Sequence, residues 1–502
     1  MLPRIARQTA LLTTTAIVTA LAIGPAPAHA ADPTAQAATA LEGQLRSWIQ
    51  GMAGPGTTLG ERPVQVSAEG DHYTFSIPIG VAKAGSPPPS IRGTARPTEG
   101  GRWSFEGPYL PSPFTFTLDM QVPPLEGQKS AAPTVPVTYT VTGTSQNQGV
   151  FDPSFATPST MSTSASGLQV VAASDTMNQK TVIERSASTS TIRPAGTDRA
   201  DFVTEGTIEG YTLHSERTDT PPVDVKVDRV RVSGGMLSVS RDRVAQMVPA
   251  LMRITGGAMA GMPKGGMKIP AGATSVDPQL IRTLVQSLQD FASEFTLDES
   301  FDGVTIAFGG SGGSAKQVRI GMGAKSDAGL LAAHMEFGLD GLALPDLSLG
   351  AMASLLPQKV AMRPAITGVP VAELLNMLSA AGTSKEAGPP PEFVALLNRG
   401  TVGAGLDSFS FDSGGAVFTG MGKVAFLDAQ SMDGQAQVTA TNFDALMQRL
   451  NGMPDVADAL PVLLFVKGIG RTVENRIVWD ITYRGNKLLV NGTDLSAMTG
   501  GK

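Results

Sequence analysis

The chain has 502 residues, a formal net charge of −6 at pH 7 and only 16% charged residues. An acidic chain without basic runs is not expected to bind nucleic acid, because phosphate binding requires clustered lysine and arginine. The absence of cysteine excludes disulfide bonds and a lipid anchor attached to a cysteine.

The first thirty residues have the features of a secretory signal peptide. Arg4 and Arg7 form a positive start, residues 11–23 are mostly apolar, and Ala28-His29-Ala30 has the small-residue pattern of a cleavage site. We therefore expect cleavage after Ala30 and a periplasmic protein. No later apolar stretch approaches the roughly 20 residues of a membrane helix. The mature chain is thus predicted to be soluble, without an integral membrane span.

The N-terminal half is predicted to contain one helix and a large antiparallel sheet. Residues 33–52 place Leu41, Leu45 and Trp48 on one helical face. Over residues 64–232, apolar residues alternate with Thr and Ser, as in Tyr73-Thr-Phe75-Ser-Ile77. Such alternation is typical of strands with one buried face, so we assign residues 31–232 to one domain.

The C-terminal half contains an internal repeat of strand, helix, helix and β-hairpin. The order occurs in residues 360–426, returns in residues 435–490, and has a looser copy from residue 237, with a helix expected over residues 277–295. Each copy would expose an apolar helix face and a sheet face, so neighbours must cover one another. The fold class is therefore predicted as α+β, with the large antiparallel sheet followed by helix-on-sheet units at residues 235–330, 331–426 and 430–498.

Three segments carry a family resemblance: Leu45-Arg-Ser-Trp48-Ile49, Met335-Glu-Phe-Gly-Leu-Asp-Gly-Leu-Ala-Leu-Pro345, and Val478-Trp-Asp-Ile-Thr-Tyr483 through Val490-Asn-Gly492. In these the chain resembles a family of uncharacterised exported proteins from alphaproteobacteria, classed as a domain of unknown function. Its organisation also resembles envelope proteins that carry or shield lipids, by analogy of fold alone. Neither resemblance implies catalytic residues.

One motif matches a hydrolase nucleophile. Gly309-Gly310-Ser311-Gly312-Gly313 fits G-x-S-x-G, but that elbow requires a helix after the serine, and Val318-Arg-Ile320 indicates a strand. We interpret the motif as a hairpin tip. A triad would also need His72, His214 or His334, which stand singly in strand-like stretches and are predicted to be structural or surface residues. No catalytic residue is therefore assigned.

Metal and cofactor motifs are also lacking, so no metal site and no cofactor are predicted. There is no H-E-x-x-H, phosphate-binding loop or paired His-Cys spacing. The densest acidic cluster, formed by Glu294, Asp298, Glu299 and Asp302, lacks the alternating ligands of a calcium loop. We interpret it as a solvated helix end.

A methionine-rich segment supplies the candidate ligand-binding residues, which are Met247, Met252, Met259, Met262 and Met267. Three interpretations stay open. The thioethers could bind Cu(I), the segment could be a lid or apolar contact for an amphiphile or partner, or it could be a disordered insertion. We favour the insertion.

Together these features predict a non-enzymatic periplasmic envelope protein. It would bind or carry a lipid or another apolar ligand, or an envelope partner protein, in a groove between helices and curved sheet. Two alternatives are a secreted hydrolase that uses Ser311 and a purely structural scaffold of the envelope.

Overall fold

The described residues form mostly antiparallel β-sheet, with 70% of them in strands and 14% in helices, so helices cover only parts of the sheet. It divides into two compact units. Unit 1 comprises Met1–Pro222 and Leu237–Phe291, and unit 2 comprises Val223–Met236 and Ala292–Lys502. The computed structural model describes residues 33–43, 64–78, 90–99, 102–109, 112–121, 134–152, 157–218, 220–243, 291–345, 350–374, 377, 391–428, 431–453, 460–485 and 487–496.

Unit 1 begins with a helix and continues as strands. Helix α1 covers residues 35–43. The strands are β1 (Gln65–Glu69), β2 (His72–Pro78), β3 (Ser90–Pro97), β4 (Trp103–Tyr109), β5 (Phe114–Gln121), β6 (Thr134–Asp152), β7 (Thr157–Ser174), β8 (Met177–Pro194) and β9 (Arg199–Arg217). The unit border then runs through β10 (Thr220–Ser240).

The long strand β6 organises unit 1. Strands β1 to β4 pair successively, and β4 joins one end of β6 through Glu106 and Gln148. Strand β5 pairs with the other end of β6, and β6 to β9 continue the antiparallel order. Helix α1 packs on β2 and β4, where Leu41, Tyr73 and Phe105 are buried in one cluster. The apolar alternation in β2 therefore does bury one face of the strand.

Unit 2 contains longer strands with helices between some of them. Its elements are β11 (Glu294–Phe308), β12 (Ser311–Asp327), β13 (Leu330–Asp340), a 3-10 helix (Gly350–Leu355), β14 (Lys359–Pro370), α2 (Pro391–Leu397), β15 (Gly403–Ser413), β16 (Ala416–Phe426), β17 (Met432–Thr441), α3 (Phe443–Asn451), α4 (Leu460–Ile469), β18 (Arg471–Val473), β19 (Arg476–Arg484), β20 (Lys487–Val490) and β21 (Thr493–Asp494).

The strands of unit 2 form one antiparallel ladder. From β11 to β17 each strand pairs with the next one in sequence. Strand β17 then pairs with β19, whose further partners are β18, near one end, and β20, near the other. Helices α3 and α4 cover this last part, where Phe443 and Trp479 are buried. Helix α2 packs elsewhere, through Leu396 onto Val369 and Val402.

The predicted antiparallel sheet is confirmed, but the repeated strand-helix-helix units are not supported. The physical reason is that β11 to β17 form a continuous ladder, so each hairpin shares hydrogen bonds with its neighbours instead of standing as a separate unit. The two sequence-predicted hairpins around Gly414-Gly415 and Gly485 do occur.

Of two local predictions in this region, one is wrong at its end and one is confirmed. The helix predicted over residues 277–295 does not include Glu294 and Phe295, which begin β11; its part up to residue 290 lies outside the described residues. The predicted hairpin tip does occur, as a two-residue turn at Gly309-Gly310, because Ser311 already pairs with Phe308. Both glycines have positive φ, of 59° and 88°, which favours glycine in such a turn.

Candidate functional site

One face of the unit 2 sheet is apolar from β11 to β15. Side chains of a strand alternate between the two faces, and the register aligns the apolar positions of neighbouring strands. In one row across the sheet, Ile320 pairs with Phe337, Phe337 with Met362, and Met362 with Phe409. We call the whole surface the apolar face, and it comprises Leu297, Phe301, Val318, Ile320, Met322, Met335, Phe337, Leu339, Val360, Met362, Ile366, Phe409 and Phe411.

Aromatic rings connect this face to the helix-covered core. The ring centroids of Phe409 and Phe411 are 6.4 Å apart, and those of Phe411 and Phe418 are 4.7 Å apart. Phe418 then meets Phe443 of α3 edge-on at 6.0 Å. Offset and edge-on contacts of this kind stabilise packed aromatic clusters. The apolar face is therefore continuous with the core beneath α3 and α4.

Five large apolar side chains on this face remain accessible to solvent. Their exposed fractions are 37% for Met322, 56% for Met335, 38% for Phe337, 41% for Met362 and 43% for Ile366. They lie on the adjacent strands β12, β13 and β14, and we call them the exposed apolar patch. Single exposed apolar residues are ordinary on protein surfaces, whereas a contiguous group is typical of a binding surface.

The opposite face of the same strands is polar. Cross-strand ion pairs join Arg319 to Glu336 at 4.0 Å and Lys359 to Asp340 at 3.7 Å. His334 also lies on this face, with its Nε2 3.1 Å from a guanidinium nitrogen of Arg363. The sheet thus has one charged face and one face almost without charge.

Glu299 is the exception on the apolar face. It pairs across the sheet with Ile320, and Leu297 and Phe301 flank it on the same face of β11. The side chain is half-buried, and this burial raises the pKa of its carboxyl above the usual value. Within the described part of the chain, no hydrogen bond or ion pair satisfies this carboxylate.

The other acids of the cluster lie on the polar face, as strand alternation requires. Asp302 forms an ion pair with Arg231 at 2.8 Å and accepts a hydrogen bond from Gln317 Nε2 at 2.9 Å. The interpretation of this cluster as a solvated helix end is therefore wrong, because all four acids belong to β11. Glu299 is the functional candidate that the sequence interpretation missed, although the spacing of Phe295, Leu297 and Phe301 around it would have indicated its face.

The hydrolase motif is not assembled into a nucleophile elbow. Ser311 is exposed and is followed by β12 rather than by a helix. His334 pairs with Gly323, which lies about 40 Å along β12 from Ser311 at about 3.3 Å per residue. His72 and His214, both in unit 1, contact Asp71 at 3.0 Å and Glu216 at 3.1 Å. Over the described ranges, no group of three or more His, Cys, Asp or Glu could hold a metal ion.

Unit 1 has a shallow polar hollow of about 400 Å³. It spans β3, β4, β6, β7 and β8, and short hydroxyl side chains such as Thr94, Thr160 and Thr191 dominate its lining. The charged residues in it are Arg96 and Glu106. Its lining thus combines hydroxyl groups with one guanidinium and one carboxylate.

The five candidate methionines at positions 247–267 lie outside the described residues, as does the expected signal peptide. Different methionines, Met322, Met335 and Met362, lie in the exposed apolar patch. No protein-family model, no curated protein and no solved structure matches this chain. Among the helices that the structure describes, none is both long and apolar enough to cross a membrane.

Proposed function

We propose that this chain is a non-enzymatic binding protein of the bacterial periplasm that holds the alkyl chain of a lipid on the exposed apolar patch. The supporting observation is the accessibility of five large apolar side chains on three adjacent strands. Covering such surface with an alkyl chain is favourable by about 0.8 kcal/mol for each buried methylene group.

The shape and composition of the patch favour an alkyl chain over a folded protein partner. Three adjacent strands are only about 10 Å wide, at about 4.8 Å per strand spacing. A surface this narrow is small compared with the area of about 800 Å² that each partner buries in a stable protein interface. Three of the five residues are methionines, whose flexible thioether side chains adapt to ligands of variable shape.

The proposal includes the periplasmic location that the sequence predicts. The signal-like N-terminus supports a periplasmic location, and the resemblance to exported alphaproteobacterial proteins supports the same setting.

A matched pair of substitutions tests the proposal. Met335 is 56% exposed on the apolar face, and Met421 is 61% exposed on the opposite face, where it pairs with Gln437. The probe is a pyrene-labelled decanol, which is neutral, and binding is measured by fluorescence titration. We expect Met335→Glu to weaken binding by about tenfold or more because it places a charge against the alkyl chain, and Met421→Glu to leave binding unchanged.

Two results would contradict the proposal. One is the absence of saturable binding by the unmodified protein, and the other is an equal loss in both variants. Native mass spectrometry of the protein purified from its own periplasm provides a second measurement, in which a co-purifying amphiphile is the expected result.

A further inference from the structure

The position of Glu299 carries information on the head group of the ligand. Glu299 begins the row that continues across the apolar face through Ile320, Phe337, Met362 and Phe409. Phe337 and Met362 belong to the exposed apolar patch. A ligand lying along this row would therefore place one end at the carboxylate and the remainder on the patch.

Among the residues that the structure describes, none forms a hydrogen bond or ion pair with this carboxylate. The β12 residues nearest to it on the apolar face are Val318, Ile320 and Met322, none of which can donate a hydrogen bond. A charged group next to apolar surface is costly unless an opposite charge or a hydrogen-bond donor satisfies it. A ligand that supplies a donor at this point would remove that cost.

We infer that the ligand is a cationic amphiphile, a long-chain amine whose ammonium group binds the Glu299 carboxylate while its alkyl chain lies along the row to Phe409. This inference rests on the proposed function, because it assigns a head group to the ligand of the same patch. The row spans four strand spacings, or about 19 Å, so a long alkyl chain would cover all of it and a ten-carbon chain would cover the part next to Glu299.

The charge of the site distinguishes an amine from other amphiphiles. An anionic head group at this position would be repelled by Glu299, and none of the five residues of the patch carries a positive charge. A neutral alcohol could donate a hydrogen bond but would gain no ion pair. The expected order of affinity is therefore amine, alcohol, carboxylate.

Three ligands of equal chain length test this order: decylamine, decanol and decanoate, each below its micelle concentration. Each competes with the neutral pyrene-labelled decanol at pH 7. We expect decylamine to compete about tenfold more strongly than decanol, since a hydrogen bond to a charged group is stronger than a neutral one. Decanoate should compete least.

Two isosteric variants test whether Glu299 causes the preference for decylamine over decanol. In Glu299→Gln the affinities for decylamine and decanol should differ by no more than about twofold. The reason is that the substitution removes the ion pair and keeps the apolar face. Asp298→Asn removes the same charge from the adjacent residue, which lies on the opposite face of β11. It should retain the preference for decylamine, and it controls for attraction to the acidic chain as a whole. Thermal unfolding of both variants confirms that they are folded.

The possible outcomes separate the two proposals. If Glu299→Gln still prefers decylamine, or if Asp298→Asn loses the preference to the same extent, the assignment of the head group is wrong. The proposed function would stand in that case, provided that decanol competes and Met335→Glu weakens the binding of the probe as expected. If none of the three ligands competes, both proposals are overturned.

Discussion

The carboxylate of Glu299 is in a different environment from those of the other acids of β11. Asp302, on the polar face, has Arg231 and Gln317 as partners. Glu299, on the apolar face, has only apolar neighbours on β12, and burial raises the pKa of its carboxyl. The two residues are close in sequence, but their side chains lie on opposite faces of β11, and this difference in face accounts for the difference in environment.

The raised pKa of Glu299 predicts a pH-dependent stability. Between the usual carboxyl pKa and the raised one, the folded state binds a proton that the unfolded chain releases. The stabilisation by protonated Glu299 is therefore complete below the usual pKa and is lost as pH rises through the raised pKa. We expect Glu299→Gln to increase the free energy of unfolding at pH 7, with the difference vanishing below about pH 4. Urea denaturation across this pH range measures the effect.

Asp298→Asn is the control for this measurement, because it removes an exposed carboxylate from the same strand. A stability of Glu299→Gln that follows the unmodified protein at every pH would show that Glu299 is not desolvated in the folded state.

The side chain of Asn491, unlike that of Glu299, forms several hydrogen bonds. Its Nδ2 donates to the backbone oxygens of Ile469 at 2.8 Å and Val478 at 3.1 Å, and its Oδ1 accepts from the backbone N–H of Asp480 at 2.9 Å. Its φ of 48° lies in the left-handed region, which asparagine tolerates better than most residues. The side chain thus ties the end of α4 to β19.

We expect Asn491→Asp to lower the free energy of unfolding by about 1–3 kcal/mol, because a carboxylate cannot donate to the two carbonyl oxygens. Aspartate keeps the size of the side chain and its tolerance of positive φ. Chemical denaturation gives the value, and Asn178→Asp, at an exposed position of β8, serves as the control. Equal losses in the two variants would contradict this role of Asn491.

At the scale of elements, local sequence patterns predict some strands. They fail where the same residues fit both the helical period and the two-residue period of a strand. Strand β2 alternates strictly, and the hairpin at Gly414-Gly415 has a clear turn, so both could be predicted. Phe295 fits a helical stripe with Phe291 and also fits the alternation of Leu297 and Phe301. Pairing with β12 decides between the two, and that pairing is not visible in the local sequence.

A glycine in β16 fixes the packing of neighbouring strands. A Cβ atom added at Gly420 would lie 2.5 Å from Cε1 of Phe409 and 2.5 Å from the backbone oxygen of Gln437. We expect Gly420→Ala to destabilise the protein by about 1–3 kcal/mol, as overpacking does. The control is Gly338→Ala in β13, where the nearest atom would be Cβ of Arg319 at 3.4 Å. Thermal unfolding of both variants would show whether Gly420 is the more sensitive position.

At the scale of the molecule, the coarse fold could be predicted and the candidate site could not. Alternation and glycine-rich turns indicated an antiparallel sheet, which the chain has. The exposed apolar patch joins residues from three strands that only their pairing brings side by side. Accessibility is a property of the folded chain, whereas the predicted methionines were selected by their density in sequence.

Ligand binding should protect a defined region of unit 2. Binding to the folded state alone slows the opening of the structure that contacts the ligand. With decylamine in excess, we expect slower amide hydrogen exchange in residues 311–340 and 359–370, which contain the patch, and unchanged exchange in residues 157–217. Hydrogen exchange followed by mass spectrometry measures both regions in one sample. Equal slowing in both regions would argue against binding at the patch.

The pairing order of unit 2 has a consequence for how this part of the chain folds. From β11 to β17, each strand pairs with the next one in sequence. Contacts between sequence neighbours require little loop-closure entropy, and proteins rich in them fold faster than those dominated by distant pairings. The ladder from β11 to β17 can therefore form by pairing each strand with its neighbour in sequence, before the more distant segment Val223–Met236 and strand β19 join unit 2.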